Sequence, residues 1–526
     1  MRRSNFPADL SAGSRDGSVL ILVLVIVSAL SLAVFTFSEQ TLNEYAATRV
    51  AVEQVQARSA AVSGLESVRA HFESSVSRTP QTSRRSRTAV GPPTSGKIGD
   101  RDRETNYQIV RLPLEMAVNA SFSPGLVNAS SRFDPNSLSL KPSRLRESRE
   151  RLLALPGMTP DLAASLLSWM SVPEGTPRHP EPDHDDPPRR RIERLDELLD
   201  LPGMSLAILY GEDRNGNGLR DPDEPDSNRD SRLQRGLSEF LTVEGCEATS
   251  SPLGPPKIDI NRRDLAGLYD ALRGRFSPEV ARFLVACRIS PIEYEREAAD
   301  RTSAEQERLE RLDSARRRLE RQLGGSTVDE PAVDPKDLVR AGMSLPTSPP
   351  FRIESLTDLA GARVRVRVAD QDTLLASPWG DDARGFETLL RDLEPVLTVV
   401  SGPCQRGRIN LQEAPLPVLL TVPGLGESLA RTIVARRRPD HPDQSTIAWI
   451  LREGLVTPIE LRRLGPYLTT GGSVWEGISI GRTAGSKWAA GLRFVLAETS
   501  TGTTLLRHDD LPSFTWDQGP SAGDHR

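Results

Sequence analysis

Cysteine, histidine and aromatic residues are all scarce in this chain, and the few cysteines limit the kinds of metal site and disulfide that it can form. The 526 residues include 3 cysteines and 6 histidines, and 5% are aromatic. Cys246, Cys287 and Cys404 lie far apart, so they show neither the short spacing of zinc ligands nor a disulfide framework. One disulfide is compatible with three cysteines in an oxidising compartment, but the sequence does not select the pair.

An excess of positive charge is missing as well. The formal net charge is −5, which argues against a general nucleic-acid binder because such domains are basic. The sequence has no Ser/His/Asp order, paired-acid pattern, phosphate loop or Cys/His dyad, so it predicts no catalytic residues and a protein that is not an enzyme. Residues 179–188 combine histidines and aspartates, but the prolines among them predict an exposed loop.

Long apolar runs are limited to one, residues 17–37, with the sequence GSVLILVLVIVSALSLAVFTF. No charge occurs between Asp16 and Glu39. At about 1.5 Å per residue, the part from Val19 to Phe37 makes a helix of roughly 29 Å, which matches the hydrocarbon core of a bilayer. Apolar residues continue at helical spacing through residues 39–73, so we expect one long helix that anchors the chain and extends beyond the membrane.

Three interpretations of this apolar run are open. A cleaved secretory signal would have a shorter apolar segment and a small-x-small cleavage site, which residues 35–39 do not supply. A plain signal anchor fits the length. In the third interpretation, the charged leader is cut after Gly17, which leaves Ser18 as the first residue of the mature chain. The junction Arg15-Asp16-Gly17 before an apolar helix resembles the leader of type IV pilin-like proteins, which a prepilin peptidase cleaves on the cytoplasmic side.

A leucine-rich phrase that contains Pro-Gly occurs three times and predicts turns between helices. In each copy an apolar helix end meets Pro-Gly, where the glycine supplies the positive φ that stops the helix, and the next residues cap a new helix. The copies are Leu155-Pro156-Gly157-Met158, Leu201-Pro202-Gly203-Met204 and Val422-Pro423-Gly424-Leu425. A related phrase, Ile258-Asp259-Ile260-Asn261, opens a further helical segment at 265–288.

The third copy continues to Gly426 and so carries the apolar-Gly-apolar-Gly pattern of helix-hairpin-helix motifs. In DNA-binding versions of that motif, backbone amides at the start of the second helix hold a phosphate. Gly424 and Gly426 are therefore candidate phosphate-binding residues, with Arg431 and residues 436–438 nearby. We expect a structural hairpin instead of DNA binding, because the chain is acidic and the first two copies lack the second glycine.

Residues 213–224 match the EF-hand calcium loop at every ligand position. The ligand positions hold, in order, Asp213, Asn215, Asn217, Leu219 through its backbone carbonyl, Asp221 and Glu224. Gly218 stands where the chain must turn sharply. Arg220 and the following prolines depart from the EF-hand, so the sequence predicts a calcium loop in a different setting. Asp226, Asn228 and Asp230 repeat the spacing and leave a second site open.

Other local patterns predict single elements. Alternating apolar residues predict strands at 107–112, 117–122 and 364–368, and terminal strands at 473–481, 488–498 and 503–508. A thin leucine stripe among charged residues predicts a helix at 292–323.

The order of these features resembles the minor pseudopilin K family of type II secretion systems. In that family an Arg-Phe-x-x-Asn-x-Leu phrase opens a helical domain, and an Ile-Asn-x-x-x-Ala-Pro phrase precedes a hairpin. The corresponding residues here are 132–138 and 409–415. Leu22 stands where most pilins carry the glutamate that is thought to neutralise the amino terminus of a neighbouring subunit. Because a charge inside the membrane is costly and kept for a purpose, its absence suits a subunit that ends a filament.

This resemblance implies an α+β fold. It would combine an N-terminal transmembrane and stalk helix, a small pilin-like antiparallel sheet, and a large inserted, mainly α-helical domain with helix-hairpin-helix units. The expected divisions are a leader (1–17), the transmembrane and stalk helix (18–73), a linker with the first strands (74–130), the helical domain with the calcium loop and a charged helical insertion (131–405), the hairpin segment (406–470), and the C-terminal strands and tail (471–526).

The resemblance also implies a function, a location and partners. The chain would cap the tip of the pseudopilus as a structural subunit for protein export across the outer membrane. It would span the inner membrane once, with its N-terminus in the cytoplasm and its bulk in the periplasm. The implied partners are other minor pseudopilins, inner-membrane lipid, secreted cargo and the prepilin peptidase, whose processing includes methylation. Calcium is the implied cofactor. The alternative function is a membrane-anchored extracytoplasmic DNA-binding protein.

Overall fold

Helices and mostly antiparallel strands are mixed along the chain. The computed structural model describes residues 15–78, 94–98, 105–111, 123–171, 189–214, 224–227, 229, 233–250, 255–294, 339–340, 342–369, 371–438, 441–499 and 502–515. The α-helices are α1 (Arg15–Arg78), α2 (Leu145–Leu153), α3 (Pro160–Met170), α4 (Leu206–Leu209), α5 (Leu265–Arg273), α6 (Pro278–Ile289), α7 (Ala383–Leu393), α8 (Leu416–Leu419), α9 (Glu427–Arg436), α10 (Trp449–Arg452) and α11 (Pro458–Leu464).

The strands are short in the first part of the chain and long at its end. They are β1 (Ser95–Ile98), β2 (Thr105–Arg111), β3 (Ser123–Pro124), β4 (Val127–Asn128), β5 (Glu247–Ala248), β6 (Ile258–Asp259), β7 (Ile292–Tyr294), β8 (Val339–Arg340), β9 (Met343–Ser344), β10 (Ala362–Val368), β11 (Gln371–Ala376), β12 (Leu397–Thr398), β13 (Cys404–Gln405), β14 (Ile409–Asn410), β15 (Leu468–Thr469), β16 (Val474–Thr483), β17 (Trp488–Thr499) and β18 (Gly502–Thr515).

Helix α1 is a single rod of 64 residues, about 96 Å long at 1.5 Å per residue. It is helical from Arg15, before the predicted start, and it therefore includes Gly17 and Ser18. The apolar side chains from Leu20 to Phe37 are exposed. The prediction of one helix that is long and apolar enough to cross a membrane is confirmed.

The second half of α1 lies against an antiparallel sheet. The strand order is β1-β2-β16-β17-β18, with β3 paired to β2 and β4 paired to β16. Strands from both ends of the chain are therefore neighbours, as in the pairing of Gln108 with Ile480. Everything between β4 and β16 is an insertion between strands of one sheet.

The contact between α1 and the sheet is apolar and close. Helix residues Leu65, Val68 and Phe72 are buried against Ile109 and Phe494 of the sheet. Burial of each large side chain contributes roughly 1.5–3 kcal/mol. Small residues let the helix backbone come close to the sheet. They are Ala57, Ala61 and Gly64 on the helix and Gly481 on β16.

Most of the predicted strands are confirmed, and one predicted helix is wrong at its start. Strands β2, β10, β16, β17 and β18 coincide with the predicted segments within a few residues. Residues 117–122 lie outside the described residues. The charged helix was expected to begin at Ile292, but Ile292–Tyr294 forms β7, which pairs with β10. Pro291 ends the preceding helical segment, and the alternation of Ile292 and Tyr294 suits a sheet edge. The rest of the predicted helix, 295–323, lies outside the described residues.

The inserted domain contains three structural repeats, and each repeat begins and ends in two short segments that pair in parallel. We name them unit A (133–242), unit B (258–398) and unit C (409–469). In each unit the first residue, which we call the entry residue, lies in a short extended segment. The last residues of the unit, which we call the return segment, run parallel to that first segment, and the N–H of the entry residue donates to the return segment. The donor–acceptor pairs are Phe133 N to Phe240 O at 2.8 Å, Ile258 N to Val396 O at 2.8 Å, and Ile409 N to Tyr467 O at 2.7 Å.

The same side-chain turn follows each entry residue. A side-chain oxygen of the second residue accepts a bond from the backbone N–H two positions later, which is an Asx turn. These bonds join Asp134 to Asn136 N at 2.9 Å, Asp259 to Asn261 N at 2.8 Å, and Asn410 to Gln412 N at 2.9 Å. A pair of helices comes next in every unit: α2 and α3, α5 and α6, or α8 and α9.

An amide side chain then fastens each entry turn to a later segment. Asn136 bonds both the N–H and the carbonyl of Ile192, at 2.9 and 3.0 Å. Asn261 does the same to Ile353, at 3.0 and 2.8 Å. In unit C, Gln412 donates to Gln444 O at 2.7 Å. Asn136 and Asn261 each use the ability of an amide both to donate and to accept.

Unit B holds a partly buried carboxyl group whose ionisation opposes folding. Asp358 accepts a bond from Ser355 N at 2.9 Å in a 3-10 turn at Leu356–Leu359. Burial raises the pKa of Asp358 to about 6, although the bond from Ser355 partly offsets this. The folded-state pKa is thus above that of the unfolded chain, so the protonated form is favoured in the folded protein. Stability is expected to fall as the pH rises from about 4 through about 6.

The Asp358→Asn variant is expected to remove this pH dependence. Its amide oxygen keeps the bond from Ser355. The expected gain in unfolding free energy at pH 8 is about 3 kcal/mol, because the pKa rises by roughly two units from 3.8 to about 6 and one unit corresponds to about 1.4 kcal/mol. Chemical denaturation of both proteins between pH 4 and 8 measures the difference. Asp382→Asn, which changes an exposed capping carboxylate of α7, is the control. Parallel pH curves for wild type and Asp358→Asn would contradict the prediction.

Candidate calcium loop and third helical hairpin

The calcium loop is described at its two ends. Asp213, Arg214 and Glu224 are described, whereas Asn215, Asn217, Leu219 and Asp221 lie outside the described residues. The backbone N–H of Arg214 donates to Oε1 of Glu224 at 2.9 Å. The carboxylate of the twelfth loop position therefore reaches back to the first turn of the loop. This closure brings the first and last predicted ligands to the same end.

A buried carboxylate holds the base of the loop. Glu212 is 3% exposed, and its two oxygens accept bonds from Ser227 N at 2.7 Å and Gln234 N at 3.0 Å. Its own N–H donates to Gln234 O at 2.6 Å. Gly211 has a φ of +69°, and a Cβ there would lie 2.6 Å from Gly236 N. The chain therefore returns beside its own entry, and these bonds join the two ends of the segment that holds the predicted loop.

The first predicted ligand is charged and buried. Asp213 is 5% exposed and forms an ion pair with Arg235 at 3.6 Å. Burial lowers the pKa of Arg235, and burial raises the pKa of the neighbouring Glu239 to about 7. A dehydrated carboxylate beside oxygen-rich loop positions is the donor chemistry that calcium prefers.

A complete metal cluster is not found within the described residues. Across those ranges, no group of three or more His, Cys, Asp or Glu side chains is placed to hold a metal ion. Of the possible second site, Asp226 is described, whereas Asn228 and Asp230 lie outside the described residues. The two described loop carboxylates supply the oxygen ligands that calcium prefers, and calcium binding stays a prediction.

The three Pro-Gly turns have the backbone geometry expected of them. Gly157, Gly203 and Gly424 have φ values of +79°, +87° and +83°. A side chain caps the next helix in the first two turns, where Thr159 accepts from Leu162 N and Ser205 accepts from Ile208 N. In the third turn Gly426 is the N-cap and supplies no side-chain bond. The first two turns both belong to unit A, and the third belongs to unit C.

Three of the four arginines near the third hairpin have partners within the protein. Arg431 pairs with Glu427 at 2.6 Å, Arg436 pairs with Glu453 at 3.6 Å, and Arg437 donates to Ala414 O at 2.6 Å. The surface beside Gly424 and Gly426 is open, because a Cβ at either position would meet no atom within 4 Å. The hairpin therefore has room for a ligand, but three of the four arginines near it already bond to the chain's own oxygens.

Several residues that organise the domain were not found from the sequence. Arg132 forms an ion pair with Glu476 of β16, and both side chains are largely buried. Cys246 and Cys404 form a disulfide, and Cys287 is free and buried. Aligning the three Asp/Asn-x-Asn/Gln phrases would have revealed the repeat, but nothing local in the sequence links Arg132 to a residue 344 positions away.

Comparisons with protein-family models, with curated proteins and with solved structures return no match.

Proposed function

We propose that this chain is a minor pseudopilin of the K type, which caps the tip of a periplasmic pseudopilus in a type II secretion system. One observation carries the proposal. The exposed apolar part of α1 continues without a break into the part that packs on the sheet, and that sheet contains strands from both ends of the chain. The membrane anchor and the folded body therefore share one rigid rod. Such a rod suits a subunit that leaves the membrane as part of a filament.

The size and place of the insertion support a position at the tip. Units A, B and C are inserted between β4 and β16, which are paired strands of the sheet. The units are therefore attached to the sheet and not to helix α1. A bulky domain of this kind would obstruct subunits stacked above it. Leu22 offers no carboxylate to the amino terminus of a following subunit. Both features favour a subunit that ends a filament.

A secretion assay tests this function. Deleting the chain from its natural host should stop export and leave the secreted proteins in the periplasm, and the full-length chain should restore export. A Gly17→Leu variant, which blocks cleavage of the leader, should not restore it. Gly471→Ala is the matched control, because that glycine has open space around it. Normal secretion without the chain would refute the proposal.

Calcium is expected to stabilise the protein through the 213–224 loop. At a calcium concentration ten times Kd, the expected gain is about 1.4 kcal/mol by linkage. Thermal unfolding of the full chain in detergent, with calcium and with magnesium, measures the shift. The Asp213→Ala variant should lose the calcium-specific shift even though loss of its ion pair also lowers the starting melting temperature. An equal shift in wild type and variant would dismiss the site.

DNA binding is the second candidate function, favoured by the open surface at Gly424 and Gly426. It predicts affinity for duplex DNA that falls steeply with salt, because phosphate contacts release counterions. A Gly426→Val variant would lose that affinity. Such a result would replace the proposed structural role, whereas absence of salt-dependent binding removes this candidate.

A further inference from the structure

The chain leaves each repeat unit through its return segment and the residues that follow it, which we call the exit of the unit. The exits of units A, B and C lie together beside one disulfide. Cys246 follows the return segment of unit A, and Cys404 follows the return segment of unit B. Their Cα atoms are 5.6 Å apart, although 158 positions separate them in the chain. Strand β5 pairs with β13 beside the bond, with Cys404 opposite Ala248. The disulfide therefore closes the whole of unit B into a covalent loop.

The exit of unit C reaches the same place through Ser473. Its N–H donates to Cys246 O at 2.8 Å, and its hydroxyl oxygen accepts from Ala248 N at 2.8 Å. Its carbonyl accepts from Glu498 N of β17 at 2.7 Å. Ser473 immediately precedes β16, the central strand that supports α1. We call Cys246, Ala248, Cys404 and Ser473 the exit junction.

Polar bonds around the exit junction depend on the position of the cysteine-bearing segments. Arg408 forms ion pairs with Glu247 at 3.0 Å and Glu394 at 3.4 Å, and it donates to Leu468 O at 2.8 Å. These partners come from the exits of units A, B and C in turn. Separation of the β5 and β13 segments would break contacts among all three exits.

We propose that the Cys246–Cys404 bond is an oxidation-dependent clasp that holds the exits of units A and B together, at the place where Ser473 connects them to β16. Formation of the bond converts two thiols into one disulfide. Two electrons and two protons pass to the disulfide of a thiol–disulfide oxidoreductase, which becomes a dithiol. Both cysteines are partly exposed, so such a partner can reach them. Before oxidation, the exits are held by noncovalent contacts alone.

The third cysteine does not compete for this bond. Cys287 lies in α6 and is 1% exposed, and burial raises the pKa of its thiol. Reactivity requires the thiolate, so Cys287 is inert in the folded chain. The folded structure therefore directs oxidation to one pair.

Counting free thiols tests whether the clasp forms. Full-length chain from membranes is denatured without reductant and treated with a maleimide mass tag. One tag is expected, at Cys287, and three are expected after reduction. The C287S variant should take none before reduction. If three tags appear before reduction, the purified folded chain is treated with an oxidised dithiol catalyst. If the bond then forms, the clasp proposal stands, and only the extracytoplasmic location on which it rests is refuted. If the bond does not form, the clasp proposal is refuted.

Unfolding measurements test whether the bond holds the domain in place. Reductant is expected to lower the melting temperature of the wild type by roughly 5 °C and to speed amide exchange at Ser473 and in β16. The C246S/C404S variant should match the reduced wild type and should not respond to reductant. If that variant does not fold, reductant added to folded wild type still provides the measurement. An unchanged melting temperature and unchanged exchange would overturn the proposal.

Discussion

Replacing Gly481 with valine is expected to loosen helix α1 from the sheet and to cost about 3 kcal/mol or more of unfolding free energy. Residue 481 lies on the face of β16 that touches α1. A Cβ there would lie far inside the van der Waals contact distance to Ala57 O and 2.5 Å from Ala61 N. Both obstacles are backbone atoms of a helix, so no side-chain rotation relieves the clash, and overpacking of this kind commonly costs 1–3 kcal/mol or more.

The effect of Gly481→Val should also be local. Amide exchange of α1 residues 57–72 is expected to speed up, whereas exchange within units A to C should change little. Gly471→Ala is the control, because a Cβ at that position would meet nothing within 4 Å. An unfolding free energy within about 0.5 kcal/mol of the wild type, in the range of ordinary surface substitutions, would contradict the close contact between α1 and the sheet.

Replacing Arg132 with methionine is expected to weaken the junction between the inserted domain and the sheet by about 3 kcal/mol. The side chains of Arg132 and Glu476 are 9% and 17% exposed. Removal of one member of a largely buried pair leaves the other charge without its main counter-ion, and such changes typically cost 3–5 kcal/mol. Arg493 lies close enough to attract Glu476 as well, so the expected loss is at the lower end of this range.

A double-mutant cycle separates the ion pair from the other contacts of Arg132. The Arg132→Met/Glu476→Gln variant should recover at least about 1 kcal/mol relative to the sum of the two single changes. Arg58→Met is the matched control, because the Arg58–Asp510 pair has side chains that are 57% and 50% exposed. Its loss should cost less than about 1 kcal/mol. Equal losses for Arg132→Met and Arg58→Met would show that the buried pair does not join the two regions.

Elements with strong local patterns could be predicted from the sequence. The apolar run of α1, the alternating strands β16 to β18 and the Pro-Gly turns depend on interactions between residues close in the chain. Ile292–Tyr294 was predicted incorrectly because three residues in a charged context carry little local signal, and the pairing with β10 decides their conformation.

The contacts that assemble the domain lie at long range and could not be predicted. Cys246 and Cys404 have no spacing that identifies them as a pair, and their approach follows only from the parallel returns of units A and B. The candidate calcium loop is the opposite case. Its ligands are consecutive in the chain, so the pattern named Asp213 and Glu224, and the structure adds the closure of the loop and the buried Glu212 at its base.

Helix α1 contains both the apolar segment and the segment that packs on the sheet, and this has a mechanical consequence for the proposed function. Helix α1 contacts β2, β16 and β17, and β16 begins at the exit junction. A force along the rod would therefore pass directly into the strand that receives all three repeat units. The disulfide, the Arg132–Glu476 pair and the Gly481 contact lie along this route.

The mature N-terminus tests the central claim most directly. Full-length chain is produced together with a prepilin peptidase, isolated from membranes, and analysed by N-terminal sequencing and intact mass. A pilin-like subunit is expected to begin at Ser18, and the Gly17→Leu variant is expected to keep its leader. A wild-type chain that begins at Met1, or near residue 40, would contradict the assignment of this protein as a pseudopilin.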